Sequence, residues 1–463
     1  MTIIETTTDT VQDLRLLLQG EVTLPEDAGW DAARQAWALN VDQRPLAVVH
    51  AATVHDILTV VRFARARGLR VAPQSTGHNA VPLGHLGDSI LLRTDRLRGV
   101  EIDPERRTAT VEAGAQWQDV TPLAAAHGLT ALAGSAADVG VVGYTLGGGV
   151  SWLARSHGLA ANSVVAAHVV TADGVLRHVD EAHDPDLFWA IRGGGGGFGI
   201  VTSLEFRLFP LAEVFAGALF WPEASAQGVL RAWREWTETV PDSVTSVGRI
   251  LRFPPFPDIP EPLRGRGFVV VEATMQEDAA EGARLLEDLR ALAPELDTFA
   301  TIPAAALAAL HMDPPGPVPG LGNGALLEGV DDHAIDTLIA AAQGAGAALL
   351  SVELRHLGGA LAPGATEGGA VSGFDADYAL FAVGMTPTAE HTAAVQRGVD
   401  AVLEAMEGVT APSTYLNFAE REVDDDALFG SARERLEAVK FAYDRHDLIH
   451  ANHGVAPRER AGA

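Results

Sequence analysis

The sequence predicts a mixed helix-and-strand protein in which one domain is interrupted by another. Three observations carry that expectation. The chain has 463 residues, enough for two large interlocked units. Helix and strand signals alternate up to Pro210, a natural boundary. The texture then changes over roughly 213–411 and turns motif-like again afterwards, with no internal repeat.

The elements follow in order. Asp56 to Gly68 has helical spacing and ends at a glycine, followed by the strand-like Leu69 to Pro73. A polar loop of small residues, Gln74 to Asn79, comes next. Short strands are expected at Ser89–Arg93 and Thr108–Glu112, and a helix over Gln116–His127. The glycine-punctuated stretch Gly134–Val150 precedes strands at Ser163–Thr171 and Val175–Val179 around the turn Ala172-Asp173-Gly174. A short helix at Asp186–Ile191 leads through Gly193–Gly199 into the strand Ile200–Leu208. In the middle segment, strands at Phe215–Trp221, Thr245–Phe253 and Gly267–Thr274 alternate with helices such as Ala280–Leu292. Two loops rich in glycine, Asp313–Gly324 and Gly358–Gly373, are expected at the surface or over a site. A helix over Leu428–Tyr443 and a polar tail close the chain.

Composition removes several function classes. Acidic residues outnumber basic ones 61 to 33, a formal net charge of −28, which is wrong for a phosphate-backbone binder. Lys440 is the only lysine, so a P-loop or a lysine Schiff base elsewhere is excluded. No cysteine is present, which excludes disulfides, thiolate nucleophiles, iron–sulfur clusters and cysteine-bound zinc. Met1 to Gly20 lacks a basic start and an apolar stretch, and eighteen apolar residues never run together. A soluble cytoplasmic protein with no nucleic-acid or membrane partner is the expectation.

Two motifs are ambiguous by themselves. Gly194, Gly196 and Gly199 match G-x-G-x-x-G, but the motif follows a helix and enters a strand, the reverse of a dinucleotide fold. A tight connection, or a flat ligand crossing the loop, would need the same glycines. His78 lies in a loop whose backbone N–H groups could form an anion nest, although most loop histidines are simply exposed. The histidines near the C-terminus (His446, His450, His453) lack a metal-binding pattern such as H-E-x-x-H, and no metal site is expected. The serine-hydrolase elbow is absent too.

Five ordered blocks break the ambiguity. Val71 to Asn79 resembles the flavin-attachment loop, usually V-A-V-R-G-G-G-H, of the berberine-bridge-enzyme-like FAD-linked oxidases. Gly140–Gly149 with Trp152 and His157-Gly158-Leu159 is similar to that family's second FAD block. Asp184–Val201 is close to D-P-D-L-F-W-A-x-R-G-G-G-x-x-F-G-I-V. Glu353–Gly359 is similar to a strand of its substrate domain. Tyr415-Leu416-Asn417-Phe418, Tyr443-Asp444 and Asn452 resemble its C-terminal elements. There are departures. Gln74 replaces an arginine, Ser75 and Thr76 replace glycines, and Asn162-Ser163 stands for Asp-Asn. Arg445-His446 stands for Pro-Asp or Pro-Glu, and a frequent His-Arg pair near Phe374–Tyr378 is missing. Ala136 takes the place of the cysteine in bicovalent members.

The resemblance implies an α+β, two-domain PCMH-type FAD-binding fold. The FAD-binding domain would comprise 1–212 and 412–463, and the substrate domain 213–411 would be an antiparallel sheet flanked by helices. FAD, covalently attached through His78, would be held by Gln74, Ser75, Thr76, Gly77 and Asn79. Further contacts would come from Ser135, Val139, Gly140, Gly143, Tyr144, Gly147, Gly148 and Gly149. Asn162, Gly199, Ile200, Val201, Tyr415, Asn417 and Asn452 complete the set. The chemistry implied is hydride transfer from a small or polycyclic secondary metabolite to the flavin, with dioxygen as reoxidant. A redox-neutral cyclase or lyase retaining FAD is the alternative. Glu353 is the first candidate for a base, although Arg355 on the same strand face would also suit a surface salt bridge. Tyr144, Tyr415 and Tyr378 follow as candidates. Phe253, Phe256, Trp221 and Met312 could line an apolar cleft or lie in the core. A monomer or homodimer is expected.

Overall fold

The computed structural model describes residues 11–257 and 259–459. Residues 1–10, read above for a leader, lie outside the described set, as do the last four residues of the tail. Three sheets organise the chain. The first has four strands in the order Glu21–Thr23, Ala47–His50, Ser89–Arg93, Arg70–Gln74, with the last three parallel. Parallel neighbours need a crossover, and the helix Val54–Arg67 supplies it. That helix begins in a capping box, Thr53 with Asp56, and stops at Gly68 in the left-handed conformation (φ 65°).

The second sheet is antiparallel, in the order Val100–Asp103, Thr108–Glu112, Ile200–Arg207, Val164–Val170, Leu176–Val179. The short helix Pro185–Ile191 precedes Gly193–Gly199, which enters the strand Ile200–Arg207. This is the helix-then-strand order that argued against a dinucleotide motif.

The third sheet has eight antiparallel strands. Its path runs Leu296–Asp297, Glu213–Pro222, Gly267–Met275, Val244–Arg252, Ser351–His356, Tyr378–Met385, Gly320–Leu327, and Ala300–Pro303 pairs with Glu213–Pro222. One face packs on the helices Ala226–Thr237, Asp332–Gln343 and Ala389–Ala405 in the largest hydrophobic cluster. The other face looks toward the first two sheets.

Three expected elements differ in detail. The helix expected over Ala280–Leu292 is two pieces, Ala279–Leu285 and Glu287–Arg290. The loop expected over Asp313–Gly324 ends early, because Gly320 already pairs with Met385 in the large sheet. The last long helix begins at Arg433 rather than Leu428, since Gly430, at φ 48°, separates it from the short helix Asp425–Phe429.

The single lysine ties the C-terminal segment to the glycine loop. Lys440 Nζ donates to Gly197 O (2.7 Å), Asp444 Oδ2 (2.7 Å) and Ile449 O (3.3 Å), and its side chain is 2% exposed. Asp444 in turn accepts the backbone N–H groups of Leu448 and Ile449. The segment then crosses to the first sheet, where Val71 N–H donates to Leu448 O and His450 N–H donates to Val71 O. Breaking a buried ion pair from one side costs ~3–5 kcal/mol. Lys440→Met is therefore expected to lower stability by about that amount in urea unfolding, with an Asp444→Asn variant falling comparably.

Candidate functional site

A cavity of about 490 Å³ opens between the large sheet and the loops of the first two sheets. Its floor is the loop Gln74–Asn79, the stretch Gly134–Val150, Gly195–Val201, and the segments around Tyr415–Glu420 and Ala451–Asn452. Its roof is the large sheet with His311, Met312 and Asp313.

The loop after the strand Arg70–Gln74 presents His78 on the floor. The imidazole stacks on Trp37, with ring centroids 4.1 Å apart and planes 20° from parallel. Thr76 Oγ1 lies 2.7 Å from His78 Nδ1. Nε2 is buried without a hydrogen-bond partner and stands 3.5 Å from Asp138 Oδ1. Asp138 also accepts from Trp37 Nε1 (2.6 Å). Burial opposes the charge on Asp138, but His78 and Trp37 outweigh it, and its pKa lies below the usual carboxylate value. Neither Trp37 nor Asp138 was singled out from the sequence; they meet His78 only through the fold.

Gln74 answers the missing arginine. Its Oε1 accepts from Arg93 Nη1 (2.5 Å) and Gln43 Nε2 (3.2 Å), and Arg93 is its directly paired neighbour on the next parallel strand. A cation thus stands behind the loop although the loop itself carries none.

The residues present fit an FAD molecule. Ser75 Oγ, His78 Nε2 and Asn79 Oδ1 are buried polar atoms without partners on the cavity wall, which a polar ligand would satisfy. A Cβ built at Gly143 would meet no atom within 4 Å, so a flat ligand can lie against that backbone. At Gly147 the need is different: a Cβ there would stand 1.9 Å from Asn417 Oδ1. Asn417 Nδ2 bridges Tyr144 O (3.0 Å) and Tyr415 Oη (2.9 Å), joining two sequence blocks 273 residues apart.

Of the residues singled out for the cofactor, Gln74 to Asn79, Ser135, Val139, Gly140, Gly143, Tyr144, Gly147, Gly199, Ile200, Val201, Tyr415, Asn417 and Asn452 line the cavity. Gly148 and Gly149 lie behind this wall; a Cβ on Gly149 would press on Tyr144 and Ala160. Asn162 is a correction. It is 4% exposed, and its Nδ2 donates to Thr366 Oγ1 (2.7 Å) and Ser372 O (2.9 Å). It pins the loop 358–373 instead of facing the cavity.

Strand alternation decides the roof. Ser351, Glu353 and Arg355 face the cavity, while Val352 and Leu354 enter the helix-packed core. On the next strand Phe381, Val383 and Met385 face the cavity. Tyr378 has the other parity and is a second correction. It packs on Trp233 at 5.4 Å and bonds Thr237 Oγ1 (2.5 Å), on the wrong side of the sheet for catalysis. The four large apolar side chains, which could line a cleft or lie in the core, divide between these and the surface. Trp221 is core, donating to Leu292 O. Phe253 packs against Phe268, and Phe256 is 45% exposed. Only Met312 of the four lines the cavity.

The roof is instead ionic. Arg249 and Glu353 are paired across adjacent strands. Arg249 Nη2 donates to Glu272 Oε1 (2.5 Å) and His311 O (2.8 Å). His311 Nδ1 lies 2.7 Å from Glu272 Oε2, and its Nε2 lies 2.9 Å from Glu353 Oε2. Arg355 Nε donates to the other oxygen of Glu353 (2.7 Å), so the pair is a buried bridge. Burial raises the pKa of Glu353, but Arg355 and His311 outweigh it and hold the carboxyl well below the usual range. Both oxygens are engaged, and Glu353 is a poor proton acceptor; it positions Arg355 and His311.

The carboxyl suited to accept a proton is Glu420, which sequence reasoning missed although it follows the Tyr415–Phe418 motif by two residues. It lines the cavity, and its Oε2 accepts from Gly322 N–H (2.7 Å). Burial pushes its pKa up to about 7, against the pull of the Gly322 N–H and Arg421. Tyr144 donates to Leu132 O (3.2 Å). Tyr415 Oη accepts from Val150 N–H (3.0 Å) and Asn417, which leaves its own hydrogen free to donate. Burial raises the Tyr415 pKa to about 12, so it stays neutral. Tyr443 donates to Asp184 (2.7 Å) and anchors the last helix. His450 and His453 bond Ser89 Oγ and Ala419 O.

Residues 45–180 match the family model described as FAD binding domain. The chain is 34% identical over 207 residues to (R)-6-hydroxynicotine oxidase of Paenarthrobacter nicotinovorans, covering 44% of this chain and 45% of that protein. It is 33% identical over 219 residues to glucooligosaccharide oxidase of Sarocladium strictum, covering 46% and 44%. The chain spans about half the length of the curated relatives it matches. Among solved structures, Physcomitrella patens BBE-like 1 superposes with a TM-score of 0.82 at 20% identity, over 97% of this chain and 100% of that one. The glucooligosaccharide oxidase of Acremonium strictum, described with a 6-S-cysteinyl, 8α-N1-histidyl FAD, superposes with a TM-score of 0.79 at 21% identity, over 97% and 100%. At these identities the structural likeness is one of fold.

The His311 cluster generates a stability prediction. Burial and Arg249 oppose the charged imidazole, but Glu272, Glu353 and Asp313 outweigh them and raise its pKa from 6.5 to about 9. A pKa raised on folding stabilises fully below the unfolded value and is lost as pH climbs through the folded one. The thermal midpoint should therefore fall between about pH 6.5 and pH 9. A His311→Asn variant should show a flatter profile over the same window.

Proposed function

We propose that this chain, which has the fold of Physcomitrella patens BBE-like 1 and a matched FAD binding domain, is a berberine-bridge-enzyme-like FAD-linked oxidase that oxidises a small secondary metabolite at the expense of dioxygen. The observation that carries the proposal is one cavity whose floor presents three partnerless polar atoms, His78 Nε2 among them, together with the buried carboxyl of Glu420, whose pKa burial raises to about 7. Bound FAD supplies the two-electron acceptor, and dioxygen removes those electrons as hydrogen peroxide. Residues 1–212 with 412–463 would form the FAD-binding domain and 213–411 the substrate domain. A cytoplasmic location and a monomer or homodimer complete the proposal.

His78 would carry the flavin covalently. Support comes from its place on the floor, the stacking of Trp37 that fixes the ring, and a histidyl linkage described for a protein of the same fold. Ala136 lines the cavity where a second, cysteinyl bond would need sulfur, so the link would be single. Denatured, acid-precipitated protein should stay yellow, and His78→Ala should release its flavin on the same treatment. Flavin freed from the unmodified protein would end the covalent claim and leave noncovalent binding standing.

The substrate loses a hydride from carbon and a proton from the attached oxygen or nitrogen. Glu420 would take that proton, and the hydrogen of Tyr415 would hold the substrate heteroatom. The charged roof favours a substrate with polar groups. The redox-neutral alternative is not favoured, since the relatives named above are oxidases. The deciding experiment is product mass together with peroxide: an oxidase removes two hydrogens and forms one peroxide per turnover, whereas an isomer of unchanged mass would overturn the reading.

A base must be deprotonated to act, so kcat/KM should rise with pH through about 7. Glu420→Gln should abolish that limb and lower turnover by ~10²–10⁴-fold with the flavin spectrum unchanged. If Glu353→Gln rather than Glu420→Gln removes the limb, the role returns to Glu353.

A further inference from the structure

Outside the cavity, on the edge of the five-stranded sheet, three side chains converge without any part in the chemistry above. The strand Leu176–Val179 ends the sheet, and the chain bends back over 180–184 into the helix Pro185–Ile191. Asp180 makes the bend: its Oδ1 accepts the backbone N–H groups of Ala182 (2.8 Å) and His183 (2.7 Å). The same carboxylate then stands between two imidazoles. His178 Nε2 lies 2.9 Å from Asp180 Oδ2, and His183 Nδ1 lies 2.8 Å from Oδ1.

We propose that His178, Asp180 and His183 form a surface site for a divalent transition-metal ion, with zinc as its chemical type. One potential ligand atom from each residue lies within 4.8 Å of the other two. Metal–nitrogen and metal–oxygen bonds of ~2.0–2.2 Å put ligand atoms roughly 3 Å apart around one ion. Two of the three separations are already at that spacing, so a cation entering between the groups needs only small side-chain rotations. Two imidazoles and a carboxylate suit zinc, cobalt, nickel or copper, whereas calcium and magnesium prefer all-oxygen sites. The side chains are accessible, His178 by 45%, Asp180 by 25% and His183 by 66%. A formal charge of −28 raises the local concentration of cations. The ion would clip the bend that starts the helix Pro185–Ile191, whose far end leads into Gly193–Gly199 beside the cavity. Open coordination positions would hold water.

The test uses tag-free, full-length protein treated with a chelator and dialysed, then titrated with zinc chloride in a calorimeter at pH 7.5. One zinc per chain is expected for the unmodified protein, with binding at least tenfold weaker in His178→Ala and in His183→Ala. Asp180 is kept, because its carboxylate also holds the bend. Flavin content and peroxide production should be the same in all three proteins, since neither histidine touches the cavity. Absence of saturable binding to the unmodified protein, or an affinity in both variants equal to that of the unmodified protein, would overturn the site.

Discussion

A single buried ammonium holds the two ends of the fold in register. Lys440 reaches the carbonyls of Gly197 and Ile449 and the carboxylate of Asp444 from the last helix. Gly197 belongs to the loop entering the second sheet, and Ile449 adjoins His450, which pairs with Val71 in the first. Three segments of the cavity wall, distant in sequence, are thereby fixed to one point. Taking that charge out of water is expensive, and the arrangement survives because every partner is an oxygen at hydrogen-bond distance. The Asn417 bridge between Tyr144 and Tyr415 repeats the device on a smaller scale.

The large sheet divides its residues by parity. One face buries valine, leucine and tryptophan side chains under helices, and that burial supplies the stability. The other face can then carry Arg249, Glu272, Glu353 and Arg355 almost out of solvent, because each charge meets an opposite one and His311 closes the cluster. Such a network costs more to break than it gains in stability, so it specifies geometry. Its consequence for chemistry is that the carboxylates inside it are held ionised, whereas Glu420, bound to a neutral backbone N–H and buried, has its proton affinity raised into the working range.

Motifs near the cofactor wall were legible because they act locally. The loop Gln74–Asn79 follows its strand directly, so its place is readable locally even though Trp37 fixes the His78 ring, and the glycines of Gly140–Gly149 mark close approach wherever the chain goes. Side chains whose role depends on a partner strand were not legible. Asn162 sits in a recognisable block yet turns to the loop 358–373. Tyr378 was plausible by residue type, and one step of strand register put it in the core.

The sequence by itself determined the alternation of helices and strands, the exclusion of cysteine chemistry, and the position of the loop that carries His78. Each of these is set by local pattern or by the presence of a residue type. Tertiary structure alone decided that Arg93 stands behind Gln74, that Trp37 and Asp138 flank His78, and that Glu353 is locked between Arg355 and His311. These are contacts between residues from distant segments. Their energies depend on distance, burial and the sign of the neighbouring charge, quantities that no single stretch of sequence contains.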